Sequence, residues 1–236
     1  MDVVTLQLPT HKRYQENLDA LIALVEYHKE KSVIVAPEVC LTGFDYEHMD
    51  TVAKFSILAL KSLKKLINDQ ILILTLIMKE KDYFVNQAVV IHKHKVVHRQ
   101  NKVKLFTIGD EQKFFKAGAV RAVKPFEIDG VKYAVLICFE LRFKELWQRI
   151  KGADVVIIPA RWGVLRKHHL EILSRALAVM NQCYVVVSDS SDTDMAKSSA
   201  IISPDGQVIQ DDAALSVSGK IDLKEVVKMR RYIVMQ

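Results

Sequence analysis

Three stretches of the sequence place a chemically active side chain where an apolar segment turns polar. Glu38 follows the apolar run VIVAP, Lys102 lies within NKVKLF, and Cys138 ends YAVLIC. A carboxylate can carry a proton, an ammonium can stabilise a developing negative charge, and a thiol can attack a carbonyl carbon. Taken singly, each residue also has an ordinary structural explanation, as a solvated glutamate, a surface lysine or a small core residue.

The order of these stretches carries more information than any one of them. PE-x-x-x-TGF, NKVKLF and ICFELRF, in that order, resemble the three motif blocks of the nitrilase, or carbon–nitrogen hydrolase, superfamily. Flanking segments extend the resemblance over most of the chain up to about residue 210: NQAVVI, EQKFFKAG, PARWG with the following helix, and SSAIISPDGQVI. Each block is weakly specific, whereas the ordered set is strongly specific.

The resemblance implies a role for individual residues. Glu38 matches the general base of the family, Lys102 its catalytic lysine and Cys138 its nucleophile. Glu111 matches a second carboxylate that lies near the triad and positions the substrate. The backbone N–H of Phe139 is expected to help Lys102 to stabilise the tetrahedral oxyanion.

The same resemblance implies hydrolysis of a non-peptide carbon–nitrogen bond through a cysteine thioester. An ω-amidase-like or other aliphatic amidase activity is favoured, and an N-carbamoyl amide hydrolase is the alternative. Arg161 follows a strand end and is a candidate partner for a substrate carboxylate, with a surface ion pair as the equal alternative. Trp162 is expected either to line the pocket or to cover the core.

Some positions depart from the family pattern. Lys104 stands where a histidine is common, and Phe139-Glu140 replaces the commoner Tyr-Asp. Leu177 and Met180 lie in a helix that often carries polar residues, which suggests that this helix has lost polar contacts beside the site or at a subunit interface.

The elements that must position these residues alternate along the chain. Continuous apolar runs such as SVIVA, ILILTLIM, DVVIIPA and CYVVVSD predict buried strands. Residues 14–30 and 168–182 have the apolar spacing of helices, Asp50 is a predicted cap of a second helix, and residues 223–231 are predicted to be a short helix.

Paired strands are predicted at residues 84–99, at 122–128 with 131–137, where Asp129-Gly130 forms the turn, and at 200–210. Interleaved strands and helices indicate the α/β class, but periodicity does not separate two stacked sheets from one open sheet. The family resemblance implies a four-layer α-β-β-α sandwich. No linker divides residues 1–236, so we predict one domain.

Composition limits the remaining function classes. The net charge is +6, but the basic residues are dispersed and form no basic tail, which argues against nucleic-acid binding. We expect no membrane span, no secretory signal and no disulfide framework from three widely spaced cysteines. Composition therefore predicts a cytoplasmic protein, and the family resemblance implies an enzyme that uses no cofactor, with a small amide as substrate. The family resemblance adds a homodimer or a higher homo-oligomer.

Two other hypotheses remain at this stage. His92, His94 and His98 have a spacing that a metal site can use, but lysines intervene and a solvated hairpin tip is the favoured interpretation, so no metal is predicted. A binding module that keeps the fold without catalysis is the alternative from a different class. The presence of Glu38 and Lys102 together with Cys138 argues against it.

Overall fold

A computed structural model describes residues 1–234 of the chain. Its strands are β1 (Asp2–Leu6), β2 (Val33–Val35), β3 (Ile71–Glu80), β4 (Tyr83–His92), β5 (Lys95–Asn101), β6 (Phe126–Ile128), β7 (Val131–Val135), β8 (Val155–Pro159), β9 (Tyr184–Ser188), β10 (Ala200–Ile202), β11 (Val208–Gln210) and β12 (Ser216–Lys220). Its α-helices are α1 (Tyr14–Tyr27), α2 (Met49–Leu66), α3 (Glu111–Phe114), α4 (Lys144–Arg149), α5 (Lys167–Asn181) and α6 (Leu223–Tyr232).

The strands form two six-stranded mixed sheets. The first has the order β12-β1-β2-β3-β4-β5, and the second has the order β11-β10-β9-β8-β7-β6. In each sheet three central strands are parallel, β1-β2-β3 in the first and β7-β8-β9 in the second, and antiparallel strands flank them. The two sheets stack with helices outside, which confirms the four-layer α-β-β-α sandwich.

Alternation along the buried strands explains why their sequences are apolar throughout. In β2, Val33 and Val35 belong to the core between the two sheets, whereas Ile34 packs in the core beneath α1 and α2. In β3, likewise, Ile73 belongs to the core between the sheets and Leu72 to the core beneath the helices. Both faces of these strands are therefore covered, and neither face needs polar residues.

Hydroxyl groups tie the two sheets together inside this core. Thr5 Oγ1 of β1 donates to the carbonyl of Val187 at 2.6 Å, and Ser188 Oγ of β9 donates to the carbonyl of Leu6 at 2.6 Å. All these groups are buried, so each hydroxyl has a hydrogen-bond partner in the absence of water, and each bond fixes one sheet against the other. These contacts join β1 of the first sheet to β9 of the second.

The predicted turns are found where expected. Asp129 and Gly130 join β6 to β7 with φ values of 48° and 81°, the left-handed pair that a tight hairpin requires. The N–H of Gly206 donates to the carbonyl of Ser203 at 2.9 Å in the turn between β10 and β11.

The predicted cap of α2 is wrong. The helix begins at Met49 with His48 at its N-cap, and Asp50 lies in the first turn, where its carboxylate pairs with Lys79 Nζ at 2.6 Å. Three elements were not predicted: β12, α3 and α4. Over residues 1–234, the helices are all too short or too polar to cross a lipid bilayer.

Candidate active site

Glu38 lies in a tight turn just beyond the carboxyl end of β2. Its N–H donates to the carbonyl of Ala160, which follows β8, at 3.1 Å, so the turn joins the ends of both sheets. The next residue, Val39, has the left-handed φ of 44°, and its N–H donates to Thr75 Oγ1 at 2.7 Å. A β-branched residue adopts this conformation only where its surroundings impose it. The Glu38 side chain is thereby held in the interior, 1 % exposed.

Lys102 follows directly on β5 and is 1 % exposed. Its backbone N–H donates to the carbonyl of Asn86 at 2.8 Å, and its carbonyl accepts from the N–H of Gly118 at 2.8 Å. Gly118 must be a glycine here, because a Cβ would lie 2.6 Å from the carbonyl oxygen of Asn101. The segment after α3 thus covers the lysine, whereas the pattern of NKVKLF taken alone is typical of a solvated strand edge.

The buried ammonium of Lys102 lies between two carboxylates. Its Nζ atom is 2.8 Å from Glu38 Oε1 and 2.7 Å from Glu111 Oε1. Asn86 Nδ2 donates to the same oxygen of Glu38 at 2.8 Å, and the N–H of Phe106 donates to Glu111 Oε2 at 2.9 Å. Every described donor in this cluster therefore aims at a carboxylate oxygen, and the three charges are fixed relative to one another.

Cys138 begins a short 3₁₀ turn after β7 and has the left-handed φ of 47°. Its side chain is 7 % exposed and lines a small pocket of about 50 Å³ together with Glu38 and Glu111. A strained backbone at the end of a rigid strand is a common way to present a reactive side chain. The structure therefore brings Glu38 and Cys138 to a single cavity, and Lys102 is held against that cavity by its ion pairs with Glu38 and Glu111.

Glu140 connects the cysteine turn to the lysine segment. Its carboxylate accepts from the N–H of Ile137 at 2.7 Å through one oxygen and from the N–H of Val103 at 2.5 Å through the other. Ile137 precedes Cys138 and Val103 follows Lys102, so one fully buried carboxylate fixes the backbone on both sides of the pocket.

The charges in the pocket shift the pKa values of its groups. Burial alone would lower the pKa of Lys102, but Glu38 and Glu111 more than offset it and hold that pKa above its ordinary value. Burial and the negative charge of Glu38 raise the pKa of the Cys138 thiol well above its ordinary value, against the opposing effect of Lys102. Burial also raises the pKa of Glu111. Lys102 is thus a permanent cation, and Cys138 is a neutral thiol at neutral pH.

The predicted substrate-binding residues all line the pocket, but in different ways. Phe139 packs edge-on against Phe106, with ring centroids 5.1 Å apart. Trp162 is 4 % exposed, and its indole N–H donates to the carbonyl of Arg166 at 2.7 Å, so it both lines the pocket and covers the core. The guanidinium of Arg161 pairs with Asp192 at 2.6 Å, which occupies it within the pocket wall.

Two further arginines, Arg142 and Arg166, line the pocket and were not predicted from the sequence. The guanidinium of Arg142 lies 4.9 Å from the ring centre of Trp162, and that of Arg166 lies 5.4 Å from the ring centre of Phe106. Burial and the nearby charge of Arg166 lower the pKa of Arg142. Within residues 1–234, neither guanidinium forms an ion pair with a carboxylate, and Arg142 Nη2 lies 2.9 Å from His169 Nδ1.

The positions that depart from the family pattern have structural explanations. Lys104 points away from the cluster and pairs with Glu145 at 2.8 Å. Leu177 is fully buried in the core between α5 and the second sheet, whereas Met180 is 54 % exposed on the outer side of α5.

The three histidines considered as metal ligands have separate partners. His92 contacts the carbonyl of Gln70 and the carboxylate of Asp129, His94 contacts the carbonyl of Lys64, and His98 stacks on Phe126. Across residues 1–234 they do not converge with other potential ligands on one point.

Comparison with known proteins identifies the family of this chain. Residues 5–231 match the family model described as carbon-nitrogen hydrolase. The 2-oxoglutaramate amidase of Bacillus subtilis (strain 168) is 31% identical over 219 residues, which cover 87% of this chain and 83% of that protein. The omega-amidase YafV of Escherichia coli (strain K12) is 27% identical over 185 residues, or 76% of this chain and 72% of that protein.

Solved structures show the same fold. A carbon-nitrogen hydrolase from Helicobacter pylori G27 superposes with a TM-score of 0.89 at 16% identity and covers 98% of this chain and 92% of that one. The Saccharomyces cerevisiae nitrilase-superfamily protein Nit3 superposes with a TM-score of 0.87 at 20% identity, over 100% and 94% of the two chains. The family match over nearly the whole chain and the amidase relatives lead to one conclusion: this protein belongs to the carbon–nitrogen hydrolase family and is an enzyme of its amidase type.

Proposed function

We propose that the protein hydrolyses the terminal amide of a small, carboxylate-bearing substrate through a thioester on Cys138. The observation that carries this proposal is the pocket itself, in which a neutral thiol faces a buried Glu38–Lys102–Glu111 cluster and two arginines without carboxylate partners. The thiol and the charged cluster supply a nucleophile and charges for acyl transfer, and the two arginines supply positive charge for recognition of the substrate.

Acylation begins with the thiol. Cys138 Sγ transfers its proton to Glu38 as it bonds to the carbonyl carbon, because a thiol with a raised pKa needs a base during attack. The carbonyl oxygen then carries a negative charge, which Lys102 and the backbone N–H of Phe139 stabilise. When the oxygen reforms its double bond, the carbon–nitrogen bond breaks, and Glu38 gives its proton to the leaving nitrogen to release ammonia.

Deacylation repeats these steps with water. A water molecule gives a proton to Glu38 and bonds to the thioester carbon, the carbon–sulfur bond breaks, and the proton returns to Cys138 Sγ. The products are a carboxylic acid and ammonia, and the enzyme is restored. Glu111 keeps Lys102 protonated and fixed through the cycle, since its carboxylate lies 2.7 Å from Nζ.

The arginines support a substrate with a second, anionic end. Arg142 stacks against Trp162 and remains free of carboxylates, whereas Arg161 is paired with Asp192. A guanidinium binds a carboxylate through two parallel hydrogen bonds, which would orient a short chain toward Cys138. The substrate named for the Bacillus subtilis relative, 2-oxoglutaramate, combines a terminal amide with a carboxylate in this way.

A panel of amides tests the proposal by ammonia release. It contains carboxylate-bearing primary amides, neutral aliphatic amides, N-carbamoyl compounds and nitriles. We expect the carboxylate-bearing amides to have the highest kcat/KM and Cys138→Ala to abolish their hydrolysis.

Cys183→Ala is the matched control, since Cys183 is also a buried free thiol but lies outside the pocket. Hydrolysis retained in Cys138→Ala would refute the nucleophile. Preference for N-carbamoyl compounds would support the carbamoyl hydrolase instead, and binding of amides without turnover would support a non-catalytic module.

A further inference from the structure

A second cavity, which the proposed mechanism does not use, adjoins the catalytic pocket. This outer chamber has a volume of about 470 Å³, against about 50 Å³ for the catalytic pocket. The two spaces share six residues: Phe44, Phe106, Glu111, Arg161, Gly163 and Arg166. They are therefore adjacent, and these six residues form their common boundary.

The walls of the outer chamber are largely apolar. Beyond the shared residues it is lined by Tyr46, Gly109, Val164, Leu165 and Met195 and by one acidic residue, Asp194. Tyr46 stacks face to face on Phe114, with ring centroids 4.0 Å apart. Leu165 is 92% exposed, so an apolar group placed against it would remove apolar surface from water. Of the charged side chains at the boundary, Glu111 and Arg161 form ion pairs with Lys102 and Asp192, whereas Arg166 lies over Phe106 without a carboxylate partner.

The chamber is built into the fold. The N–H of Val164 donates to the carbonyl of Asp194 at 2.8 Å, and the N–H of Ala196 donates to the carbonyl of Trp162 at 2.7 Å, so hydrogen bonds tie one wall to the segment beside it. On the opposite wall Tyr46 Oη donates to the carbonyl of Gly109 at 3.3 Å. A preformed apolar space binds an apolar group without first having to become ordered.

Residues at the boundary indicate which part of a substrate enters the chamber. Cys138, Phe139 and Arg142 line the catalytic pocket alone, as do Glu38 and Trp162, so the reacting bond and an acyl chain held by Arg142 lie there. Glu111 and Phe44 line both spaces, and they lie on the side of the Glu38–Lys102 cluster, with Lys102 Nζ 6.0 Å from the Phe44 ring centre. The leaving nitrogen must face this side, since it receives its proton from Glu38.

We propose that the outer chamber is a subsite for an apolar substituent on the leaving nitrogen. The enzyme then hydrolyses N-alkyl amides of small carboxylate-bearing acids as well as primary amides. The carbonyl carbon–nitrogen bond breaks as before, and Glu38 gives its proton to the nitrogen, so that a primary alkylamine leaves in place of ammonia. The proposal rests on the function proposed above.

A homologous series of substrates tests the subsite. Succinamate serves as the primary amide, and its N-ethyl, N-propyl and N-butyl derivatives serve as the series. The three N-alkyl derivatives have nearly equal intrinsic reactivities, because the added methylenes lie away from the bond that breaks. We expect kcat/KM to rise about fourfold with each methylene from ethyl to butyl, the gain expected for burying a methylene.

Variants then locate the effect. Leu165→Asp places a charge in the chamber wall and is expected to bring the ratio of kcat/KM for the N-butyl and N-ethyl amides close to one. Leu58→Asp is the matched control, since Leu58 is 63% exposed on α2 away from both cavities, and it should preserve the wild-type ratio.

Several outcomes would overturn the proposal. One is hydrolysis of succinamate with the same kcat/KM for the N-ethyl, N-propyl and N-butyl derivatives. Another is a wild-type ratio of kcat/KM for the N-butyl and N-ethyl amides in Leu165→Asp. If Leu165→Asp lowers the native mass in solution but not the ratio, the exposed leucine belongs to a contact between copies of the chain. Failure to hydrolyse succinamate itself would instead count against the proposed function.

Discussion

At the scale of single residues, the central feature is one cation buried between two carboxylates. Lys102 is 1% exposed, as is Glu38, and Glu111 is 3% exposed. Such a cluster contributes little net stability, but removal of one partner leaves a buried charge uncompensated. In the mechanism that we propose, the value of this cluster is positional, because it fixes a cation, a base and a second carboxylate around the reacting carbonyl group.

Replacement of Glu38 by glutamine separates the two effects of this carboxylate. Its negative charge raises the pKa of Cys138, so Glu38→Gln should lower that pKa and shift the pH midpoint of Cys138 alkylation by iodoacetamide downward. Turnover should fall by about 10²–10⁴-fold, because the general base is lost. The measurement is the alkylation rate against pH, followed by peptide mass, beside amide hydrolysis.

Cys138→Ser is the control for labelling at other sites, since burial raises the pKa of Cys40 and of Cys183 to about 12 and keeps both unreactive. An alkylation profile in Glu38→Gln that is unchanged or moved to higher pH would show that Glu38 does not act on the thiol.

Arg142 is expected to select the substrate. Arg142→Met removes the charge but keeps a long side chain against Trp162, so KM for a carboxylate-bearing amide should rise by about 10–100-fold, as for loss of a charge-assisted hydrogen bond. A neutral aliphatic amide of the same length is the control substrate, and its KM should change less than threefold. Equal losses for both substrates would assign Arg142 a structural role.

The sequence predicted the residues of the cluster only through the order of its motifs. The local pattern of NKVKLF is that of surface lysines, and Lys102 becomes buried only because residues 111–118 fold back over it. No local signal distinguished Arg142 or Arg166, since an arginine after a strand is usually solvated. Their role depends on the pocket that distant segments form.

At the scale of elements, short-range signals were the most reliable. The Asp129-Gly130 hairpin is present because both residues can adopt positive φ. The turn between β4 and β5 has the same geometry, with φ values of 49° at Lys93 and 59° at His94, although neither residue is a glycine. β12 was missed because its sequence, SVSGK, has no apolar run, and it is a strand because it pairs with β1.

Glu140 shows how two elements are joined. Glu140→Gln replaces one accepting oxygen by an amide that faces a backbone N–H, so the turns that carry Cys138 and Lys102 should move apart. We expect kcat to fall by about 10²-fold, the cost of a misplacement of about 1 Å, with a smaller change in KM. Steady-state kinetics measure this split, and a variant with kcat within twofold of the wild type would contradict it.

The same variant makes a prediction for stability against pH. Burial raises the pKa of Glu140 from 4.5 to about 7. The folded state therefore binds the proton more tightly than the unfolded state. The contribution of protonated Glu140 to the free energy of unfolding is complete below about pH 4.5 and is lost as the pH rises through about 7. Between about pH 4.5 and 7, the free energy of unfolding of the wild type should fall by up to roughly 3 kcal/mol more than that of Glu140→Gln. Denaturant titrations at several pH values measure this difference. Parallel curves for the two proteins would contradict the shift.

At the scale of the whole molecule, the buried strand runs predicted the α/β class, but the stacking of two sheets followed only from the family resemblance. A strand covered on both faces has the same apolar pattern in an open sheet and in a sandwich. The buried hydroxyls of Thr5 and Ser188, which join the sheets, were unremarkable polar residues in the sequence. Their role becomes visible only when the partner carbonyls are in place.

The homo-oligomer suggested by the family resemblance remains a prediction. Ile172, Val179 and Met180 of α5 are 51%, 44% and 54% exposed, and their spacing places them on one side of the helix. We expect this face to contact a second copy, so Met180→Glu should reduce the native mass in light scattering. Ile57→Glu on α2, at a residue 55% exposed, is the control. A monomeric wild type, or an unchanged mass in Met180→Glu, would contradict this assembly.

The most direct test of the mechanism is the mass of the protein during turnover. Wild-type enzyme mixed with a carboxylate-bearing amide, quenched in acid within one turnover and digested, should yield the peptide containing Cys138 with the mass of the acyl group added. The adduct should be absent from Cys138→Ala, which should release no ammonia. Turnover by the wild type with an acyl group on another residue, or continued turnover by Cys138→Ala, would contradict the thioester mechanism.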